Sequence, residues 1–394
     1  MNKDSIIVNG MRYDAAKFKK YHPGGSLFIE VFAGTDATEA FYTYHRKAFN
    51  HSKLTTFRHK EQTHKAPTNK AQTTDKLYKD FFELAQIINS VVPNQGFAPT
   101  AYYVKVFGIL FIAVSLELYM LYFGKDYMLS ILLGLFFAFI GLNIQHDGNH
   151  GAVSSNPTIN FWMGLTQNYI GGDYMSWIEQ HDVQHHIVTN HYTKDPDISG
   201  EPLFRFHERD RRNPSHRYQH IYLWILELLY GIYVVFAVDK LQTHFSNICM
   251  KLFFMSRLVL PLMLHSDELT KQIVCTLLTF MTGGFYLSFF FIISHNFENV
   301  RHFDDADLKN VSLLQRQVES SSNVGGSVLG FMNGGLNYQI EHHLFPRISH
   351  WYYPQIAPIV AGFCKQKGIK YVHFNSIGDN FVSTVRYLYN LGHH

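Results

Sequence analysis

The chain has 394 residues, of which 46% are hydrophobic, 16% aromatic and only 16% charged, so it is too apolar for a disordered protein. A net charge of +3 gives no electrostatic reason to expect a nucleic-acid partner, and three widely separated cysteines argue against a disulfide scaffold or a thiolate zinc site. The unusual feature is the 24 histidines, because histidine is the commonest metal ligand in proteins.

The N-terminal part predicts a small soluble unit. The segment IIVNGMRYD contains two short apolar runs around an Asn-Gly pair, which is typical of two strands joined by a tight turn. The breaker cluster HPGG at 22–25 precedes a predicted short helix over 26–32. His22 and His45 flank a small helical stretch and could bind one haem from both faces. Such a haem carries electrons but has no open position for oxygen.

Beyond this unit the composition changes twice. Residues 51–78 are polar and predict a tether. The runs 101–124 and 127–145 are then almost free of charge, and each is about long enough to cross a hydrocarbon core of roughly 30 Å. Because only a few residues separate them, they predict a membrane hairpin. The uncharged run 272–294 is the next strongest predicted span.

Two weaker apolar runs, 220–238 and 248–264, compete for a fourth span. If the histidine motifs described below share one side of the membrane, only one of these runs crosses with 272–294, and the other lies in the interface. Hydropathy favours 220–238. The short link before 272 favours 248–264, since the two would form a second hairpin, and this is the interpretation that we prefer. Buried core helices of a soluble protein are the alternative.

Histidines concentrate beside the ends of the predicted spans. The motifs are HDGNH at 146–150, HDVQHH at 181–186 and QIEHH at 339–343, and His295 lies at the end of the last span. Eight imidazoles are too many for one ion and about right for two. Gln339 is a candidate to contact these ligands or to hold a water molecule beside them. The candidate metal ligands are His146, His150, His181, His185, His186, His295, His342 and His343.

Helical geometry predicts how these histidines divide. Residues four apart share one face of an α-helix, so His146 and His150 are expected to point in one direction, as are His181 and His185. Adjacent histidines, as at 185–186 and 342–343, diverge by about 100°. One member of each adjacent pair can therefore bind one ion and the other member a second ion.

Imidazole suits zinc, copper, iron and nickel, and the motifs form no clean set of four of the kind that closes a zinc site. A metal pair at a membrane face, supplied with electrons, indicates oxygen activation on a lipid chain. A membrane metal transporter is a rival from another class, but it would need ionisable groups in mid-membrane. An inactive electron carrier that binds haem alone is a further alternative.

The motifs together resemble a known family. HPGG, GTDAT and the following histidine resemble a fused cytochrome b5 domain. QHDGNHGA, EQHDVQHH and GGLNYQIEHHLFPR resemble the three histidine boxes of front-end fatty acid desaturases. Similarity in SHNFENV, RQVESSSNVGG and VSTVRYLYNLG extends the resemblance over nearly the whole chain. It implies that His22 and His45 are the axial ligands of haem b, and that the eight histidines hold two iron ions in a catalytic site that includes Gln339.

The resemblance also implies a domain organisation. An α+β cytochrome b5-like domain is expected over 1–60, and a linker with an amphipathic lead-in over 61–100. An α-helical membrane domain is expected over 101–394, with about four transmembrane helices in two hairpins below a cytosolic, histidine-rich cap. The expected location is the endoplasmic reticulum membrane, crossed several times, with the histidine boxes and the haem domain facing the cytosol.

The implied reaction inserts a cis double bond between an existing one and the carboxyl end of a polyunsaturated acyl chain. The substrates would be O2 and an acyl-CoA or phospholipid chain, and the electrons would come from NADH through NADH-cytochrome b5 reductase. Glu30, Asp36 and Glu39 would give the haem domain a negative face that steers a basic redox partner.

The position of the new double bond is predicted less directly. The stretches IGGDYMSWIEQHDVQHHIVTNH and RQVES, with the C-terminal motif, look most like enzymes that act at the delta-5 position. Delta-4 and delta-6 front-end desaturases share much of this sequence and remain alternatives. A sphingolipid long-chain-base desaturase or a lipid hydroxylase would use the same machinery with another outcome.

Overall fold

The computed structural model describes residues 4–22, 25–46, 56–57, 68–238 and 245–394. Its N-terminal unit contains an antiparallel strand pair whose turn is formed by Asn9 (φ 52°) and Gly10 (φ 73°), the backbone geometry that favours Asn-Gly in two-residue hairpins. The predicted strand pair is therefore confirmed. The elements of this unit are β1 (Ser5–Val8), β2 (Met11–Asp14), α1 (Ala15–Phe18), α2 (Leu27–Val31) and α3 (Thr38–Tyr44).

The remainder of the described chain is almost entirely helical, apart from a two-residue parallel pairing of β3 (Asn323–Val324) with β4 (His373–Phe374). The helices are α4 (Thr68–Val91), α5 (Thr100–Phe123), α6 (Tyr127–Ile140), α7 (His146–Asn149), α8 (Pro157–Gly164), α9 (Thr166–Tyr169), α10 (Tyr174–Trp177), α11 (Gln219–Leu226), α12 (Tyr230–Tyr233), α13 (Phe245–Leu264), α14 (Leu269–His295), α15 (Asp307–Asn310), α16 (Leu313–Glu319), α17 (Ser327–Met332), α18 (Gln339–Leu344), α19 (Tyr353–Lys367) and α20 (Ile377–His393).

Helix α4 joins the N-terminal unit to the helical part. It begins inside the segment predicted as a tether, and 58–67 of that segment lies outside the described residues. Its buried side chains include Phe81, Leu84 and Ile88, which recur every three or four residues and so form one apolar face. This face packs against α16 and α19 in the largest described hydrophobic cluster.

Five helical stretches of the described chain are long and apolar enough to cross a membrane: Pro93–Phe123, Tyr127–Asn149, Pro214–Phe236, Asn247–Leu264 and Ser266–His295. They include most of both weaker apolar runs, 220–238 and 248–264. The chain is therefore a membrane protein, while four crossings in two hairpins stays a prediction.

Helices α6 and α14 pack closely against each other at Gly134 and Gly283. A Cβ atom built on Gly134 would lie 2.5 Å from the carbonyl oxygen of Thr279 and 2.8 Å from Cβ of Thr282. Only glycine therefore allows the two backbones to approach this closely, as at small-residue contacts between membrane helices. The α6–α14 pair fixes the relative height of the first histidine motif and of His295, which follow at the ends of these two helices.

We expect Gly134→Val to destabilise the folded protein by about 1–3 kcal/mol, because the added side chain must force α6 away from α14. Gly108→Val on α5 is the matched control, since a Cβ atom there meets nothing within 4 Å. Thermal unfolding of the two variants in detergent would show a lower transition temperature for Gly134→Val alone. Equal transition temperatures would contradict the close packing.

Candidate metal and cofactor sites

A first group of histidine side chains comes together from α7, α18 and the helical turn after α10. His146, His150, His181 and His342 each offer a ring nitrogen within 4.8 Å of the others. Nε2 of His186 lies 2.9 Å from Nε2 of His342 and 3.1 Å from Nε2 of His181, so it completes this group. All five side chains are buried.

A second group adjoins the first. The ring nitrogens of His185, His295 and His343 lie within 4.8 Å of one another. The side-chain nitrogen of Gln339 is 2.9 Å from Nε2 of His295 and 3.2 Å from Nε2 of His343. The structure thus brings together all eight histidines of the three motifs and of the α14 end, and it places Gln339 in contact with the second group.

The adjacent histidines separate in the expected way. His186 and His342 belong to the first group, whereas their neighbours His185 and His343 belong to the second. His181 and His185 also offer ring nitrogens within 4.8 Å of each other, as expected, but the second motif is not a regular α-helix, because Ile178–His185 forms a π-helix. In a π-helix the residue five positions along lies on the same face, and this brings His186 rather than His185 closest to Nε2 of His181.

Several histidines are oriented by oxygen atoms outside the two groups, through their Nδ1 atoms. Such outer contacts fix the ring and raise the basicity of a metal ligand. These residues were not predicted from the sequence. Asp182 lies directly beside a motif histidine and could have been recognised from that position, whereas nothing in the sequence marks Asp195 or Thr189. The Nδ1 hydrogen bonds are His185 to Asp195 Oδ1 (3.0 Å), His295 to the Ser320 carbonyl (3.0 Å) and His343 to Thr189 Oγ1 (3.1 Å). His150 Nδ1 lies 3.1 Å from Asp182 Oδ1, but without hydrogen-bond geometry.

Charge supports the same orientation. Burial lowers the pKa of His185, but the carboxylates of Asp195 and Asp197 outweigh burial and raise it to about 9. The ring of His185 is therefore held in place by the two carboxylates. Burial, with neighbouring imidazoles, instead lowers the pKa of His181 and His186 well below its usual value, so both rings are neutral and offer a lone pair.

The donor set fits metal ions. In the described chain, Nε2 of His146, His150 and His185 is buried and has no hydrogen-bond partner, and an unsatisfied buried nitrogen is costly unless something binds it. Two imidazoles that bind one ion at about 2.1 Å and near a right angle have nitrogens about 3.0 Å apart. The Nε2 separations of 2.9–3.2 Å within the groups match this value.

A cavity of about 1010 Å³ lies between the N-terminal unit and the helical part. One wall is apolar and comes from β1, β2 and α1–α3 together with His22 and His45. The opposite wall comes from the helical part and includes His150, Gly151 and Arg347. His150 therefore contributes both to the cavity wall and to the first histidine group.

His22 and His45 face each other across this cavity. Their ring centroids are 6.1 Å apart, and one iron held by Nε2 of both rings at about 2.0 Å would place the centroids about 6.3 Å apart. Nδ1 of His22 lies 2.9 Å from the Gly25 carbonyl and Nδ1 of His45 lies 2.9 Å from the Phe41 carbonyl. With Nδ1 engaged, both rings have Nε2 available for one iron, so these residues fit a haem.

The N-terminal unit is bound to the helical part by specific contacts. The Tyr44 hydroxyl donates to the Asp182 carbonyl at 2.6 Å, which joins α3 to the second histidine motif. The Arg316 guanidinium pairs with Glu39 at 3.0 Å, and the Tyr78 hydroxyl donates to the same carboxylate at 2.6 Å. Of the three acids expected to steer a redox partner, Glu39 is thus engaged within the chain, while Asp36 remains exposed.

An apolar cavity starts at the first histidine group and runs between α6, α12 and α14. Its upper end is lined by Gln145, His146 and Trp177, and its lower end by Thr279 and Phe280. The lining residues of α14 run from 279 to 291, a distance of about 18 Å along a helix. The lined path is therefore about as long as an extended hydrocarbon chain, and the open space along it is narrow, with a volume of about 80 Å³.

Two family models match the chain. The fatty acid desaturase model matches residues 127–375, and the cytochrome b5-like heme/steroid binding domain model matches residues 2–77. All eight metal-site histidines lie inside the first match, and His22 and His45 lie inside the second. The N-terminal unit is therefore a cytochrome b5-like domain, whereas its predicted end at residue 60 stays a prediction.

Curated relatives agree with this assignment. The acyl-lipid (7-3)-desaturases of Rebecca salina and Diacronema lutheri are 43% and 40% identical over 99% of this chain, and the alignments cover 91% and 90% of those proteins. Delta(5) fatty acid desaturase A of Dictyostelium discoideum is 29% identical over 98% of this chain and 90% of its own length. The chain belongs to the fatty acid desaturase family, and it carries an N-terminal cytochrome b5-like domain.

Proposed function

We propose that this protein is a front-end acyl-lipid desaturase in which haem b passes electrons to two iron ions. One observation carries the proposal: His150 lines the cavity between His22 and His45 and also belongs to the first histidine group. The electron donor site and the oxidation site are thus separated by a single side chain. A haem-only carrier gives no reason for the two buried histidine groups, and a metal transporter gives no reason for an apolar cavity that starts at the first group.

The two ions would be held by the two histidine groups, with Gln339 beside the second. When bound, they supply the reduction of O2 by four electrons, two from the acyl chain and two through the haem, to give two waters and one double bond. The chain's own residues orient the imidazoles, through Asp195, Ser320 and Thr189, and exclude water from the buried groups. Gln339 holds its amide against His295 and His343 and so fixes the distance between these two rings.

The acyl chain would occupy the apolar cavity between α6, α12 and α14. Its reacting carbons would lie beside His146 and Trp177, and its methyl end would extend towards Thr279 and Phe280. The polar end would remain on the side of the histidine groups, which suits a reaction near the carboxyl end. Both proposed carriers, coenzyme A and a phospholipid headgroup, would stay outside the membrane in this orientation.

The position of the new double bond is the finer part of the proposal. The delta-5 position was expected from sequence, but the relative named Delta(5) is 29% identical, whereas the two named (7-3) are 40% and 43% identical. We therefore rank a (7-3) reaction ahead of delta-5.

The cellular setting follows from the electron path. A cytochrome b5-like domain takes electrons one at a time, so NADH-cytochrome b5 reductase is the partner that we propose. With this partner, we propose the endoplasmic reticulum membrane as the location, with the haem domain and the histidine motifs on the cytosolic side. Asp36 is an exposed acid left on the domain for the reductase to recognise.

Expression in yeast tests the reaction. Cells would be fed polyunsaturated acids whose double bond nearest the carboxyl group lies at carbon 7, 8 or 9, and new bonds would be located by mass spectrometry of derivatised chains. A new bond on the carboxyl side, at carbon 4, 5 or 6, supports front-end desaturation and identifies the position. Hydroxylated chains, or new double bonds only in sphingolipid bases, would contradict it.

We expect Thr279→Phe to shift the preferred substrates towards shorter chains, because the larger side chain fills the lower end of the apolar cavity. The variant should retain activity on the shorter acids and lose about tenfold on the longest, as expected when about 1–3 kcal/mol of binding is lost per excluded group. Thr279→Val is the matched control, since it keeps the size of the side chain. Product profiles from mixed-acid feeding would measure the shift, and an unchanged profile would contradict this path for the chain.

A further inference from the structure

The cavity between the two domains contains one permanent cation. Among the described residues that line it, Arg347 alone carries a fixed charge; the other polar lining groups are histidines, hydroxyls and amides. Arg347 belongs to the desaturase domain, three residues after α18 and four after His343. It therefore reaches the cavity from the wall opposite His22 and His45.

The guanidinium lies beside the first histidine motif. A Cβ atom built on Gly151, which has φ +69°, would lie 3.6 Å from Nε of Arg347 and 3.8 Å from its Nη2. Gly151 directly follows His150, so the guanidinium, the cavity and the first histidine group meet at one point.

Nothing in the described chain neutralises this cation. No aspartate or glutamate of the described residues pairs with Arg347, and burial lowers its pKa. A desolvated guanidinium without a counter-charge is costly, and a carboxylate in bidentate geometry is the partner that removes this cost. The cavity walls supply no carboxylate, whereas haem b carries two propionate carboxylates on its edge.

We propose that Arg347 binds a propionate of the haem, so that the desaturase domain completes the haem site of the cytochrome b5-like domain. This inference rests on the proposed haem between His22 and His45. It assigns Arg347 two effects: it slows haem release, and it orients the propionate edge of the haem towards Gly151 and His150. It also raises the haem reduction potential, since a neighbouring positive charge favours the reduced, less positive iron.

The test compares haem release from the full-length protein in nanodiscs, with apomyoglobin as the acceptor. Wild type and Arg347→Gln would each be loaded with haem b and, separately, with haem b dimethyl ester, which lacks the carboxylate charges. We expect Arg347→Gln to release haem b about tenfold faster than wild type, the loss typical of one charge-assisted hydrogen bond. With the dimethyl ester, the two proteins should release haem at the same rate. With haem b, Arg347→Gln should also show a lower reduction potential than wild type.

Arg316→Gln is the matched control, because Arg316 joins the same two domains through Glu39 but does not line the cavity. Its effect on release should not depend on esterification. If Arg347→Gln does not fold, wild type alone still tests the inference, since it should release the dimethyl ester about tenfold faster than haem b. An equal effect of Arg347→Gln on both haems, or no effect, overturns the inference. A wild type that binds no haem overturns the proposed haem site instead.

Discussion

His342→Ala is expected to abolish desaturation while leaving the haem spectrum unchanged. Nε2 of His342 lies 2.9 Å from Nε2 of His186, at the centre of the first histidine group. Removing this imidazole takes away one ligand and leaves a gap in a buried donor set. Because loss of an outer partner alone typically costs about 10- to 100-fold in metal affinity or activity, loss of a ligand should cost more than about 100-fold. Iron analysis of purified protein and product formation in yeast would measure both effects.

The haem spectrum serves as the internal control for folding, because the haem cavity shares His150 but not His342 with the first group. His373→Ala is the matched control, since His373 lies in β4, is exposed and bonds only the Gly325 carbonyl within the described chain. It should keep iron, haem and activity. A His342→Ala protein that retained two irons and full turnover would contradict the assignment of the first group.

The histidine groups show how far spacing alone can predict a metal site. Motif spacing predicted that His146 and His150 share a face, and their ring centroids are 4.8 Å apart. It also predicted that adjacent histidines divide between two groups, as His342 and His343 do. It did not predict that His186 is closest to His181, because periodicity at 3.6 residues does not reveal a π-helix.

Only one wall of the haem site was predicted from the sequence. HPGG and His45 identified the two axial candidates, and the hairpin before them was readable from its Asn-Gly turn. The opposite wall was not predictable, since Gly151 and Arg347 are far away in sequence and meet the cavity only through packing of the two domains. The same holds for Glu39, whose pairing with Arg316 spans 277 residues.

The sequence did not decide which of the two weaker apolar runs crosses the membrane, and the reason is physical. Apolar length does not separate the two runs, since both Pro214–Phe236 and Asn247–Leu264 satisfy it. A helix that lies in the interface and a helix that crosses can have the same composition when neighbouring helices cover the polar groups. Arg257 illustrates this, because its charge is met by Glu117 on α5 and by the carbonyl of Tyr169.

His22→Ala is expected to give the opposite result to His342→Ala: the haem absorbance is lost, and the bound iron of the histidine groups is kept. The 6.1 Å separation of the His22 and His45 rings fits one iron held from both sides, so removing either ring leaves an incomplete site. Desaturation driven by NADH should fall below about a tenth of the wild-type rate, because double histidine ligation is what makes the haem an electron carrier. His45→Ala should behave in the same way. Non-haem iron content separates loss of the electron path from loss of the fold, since a misfolded protein would lose both cofactors. Full NADH-dependent turnover in either variant would show that electrons reach the histidine groups without this haem.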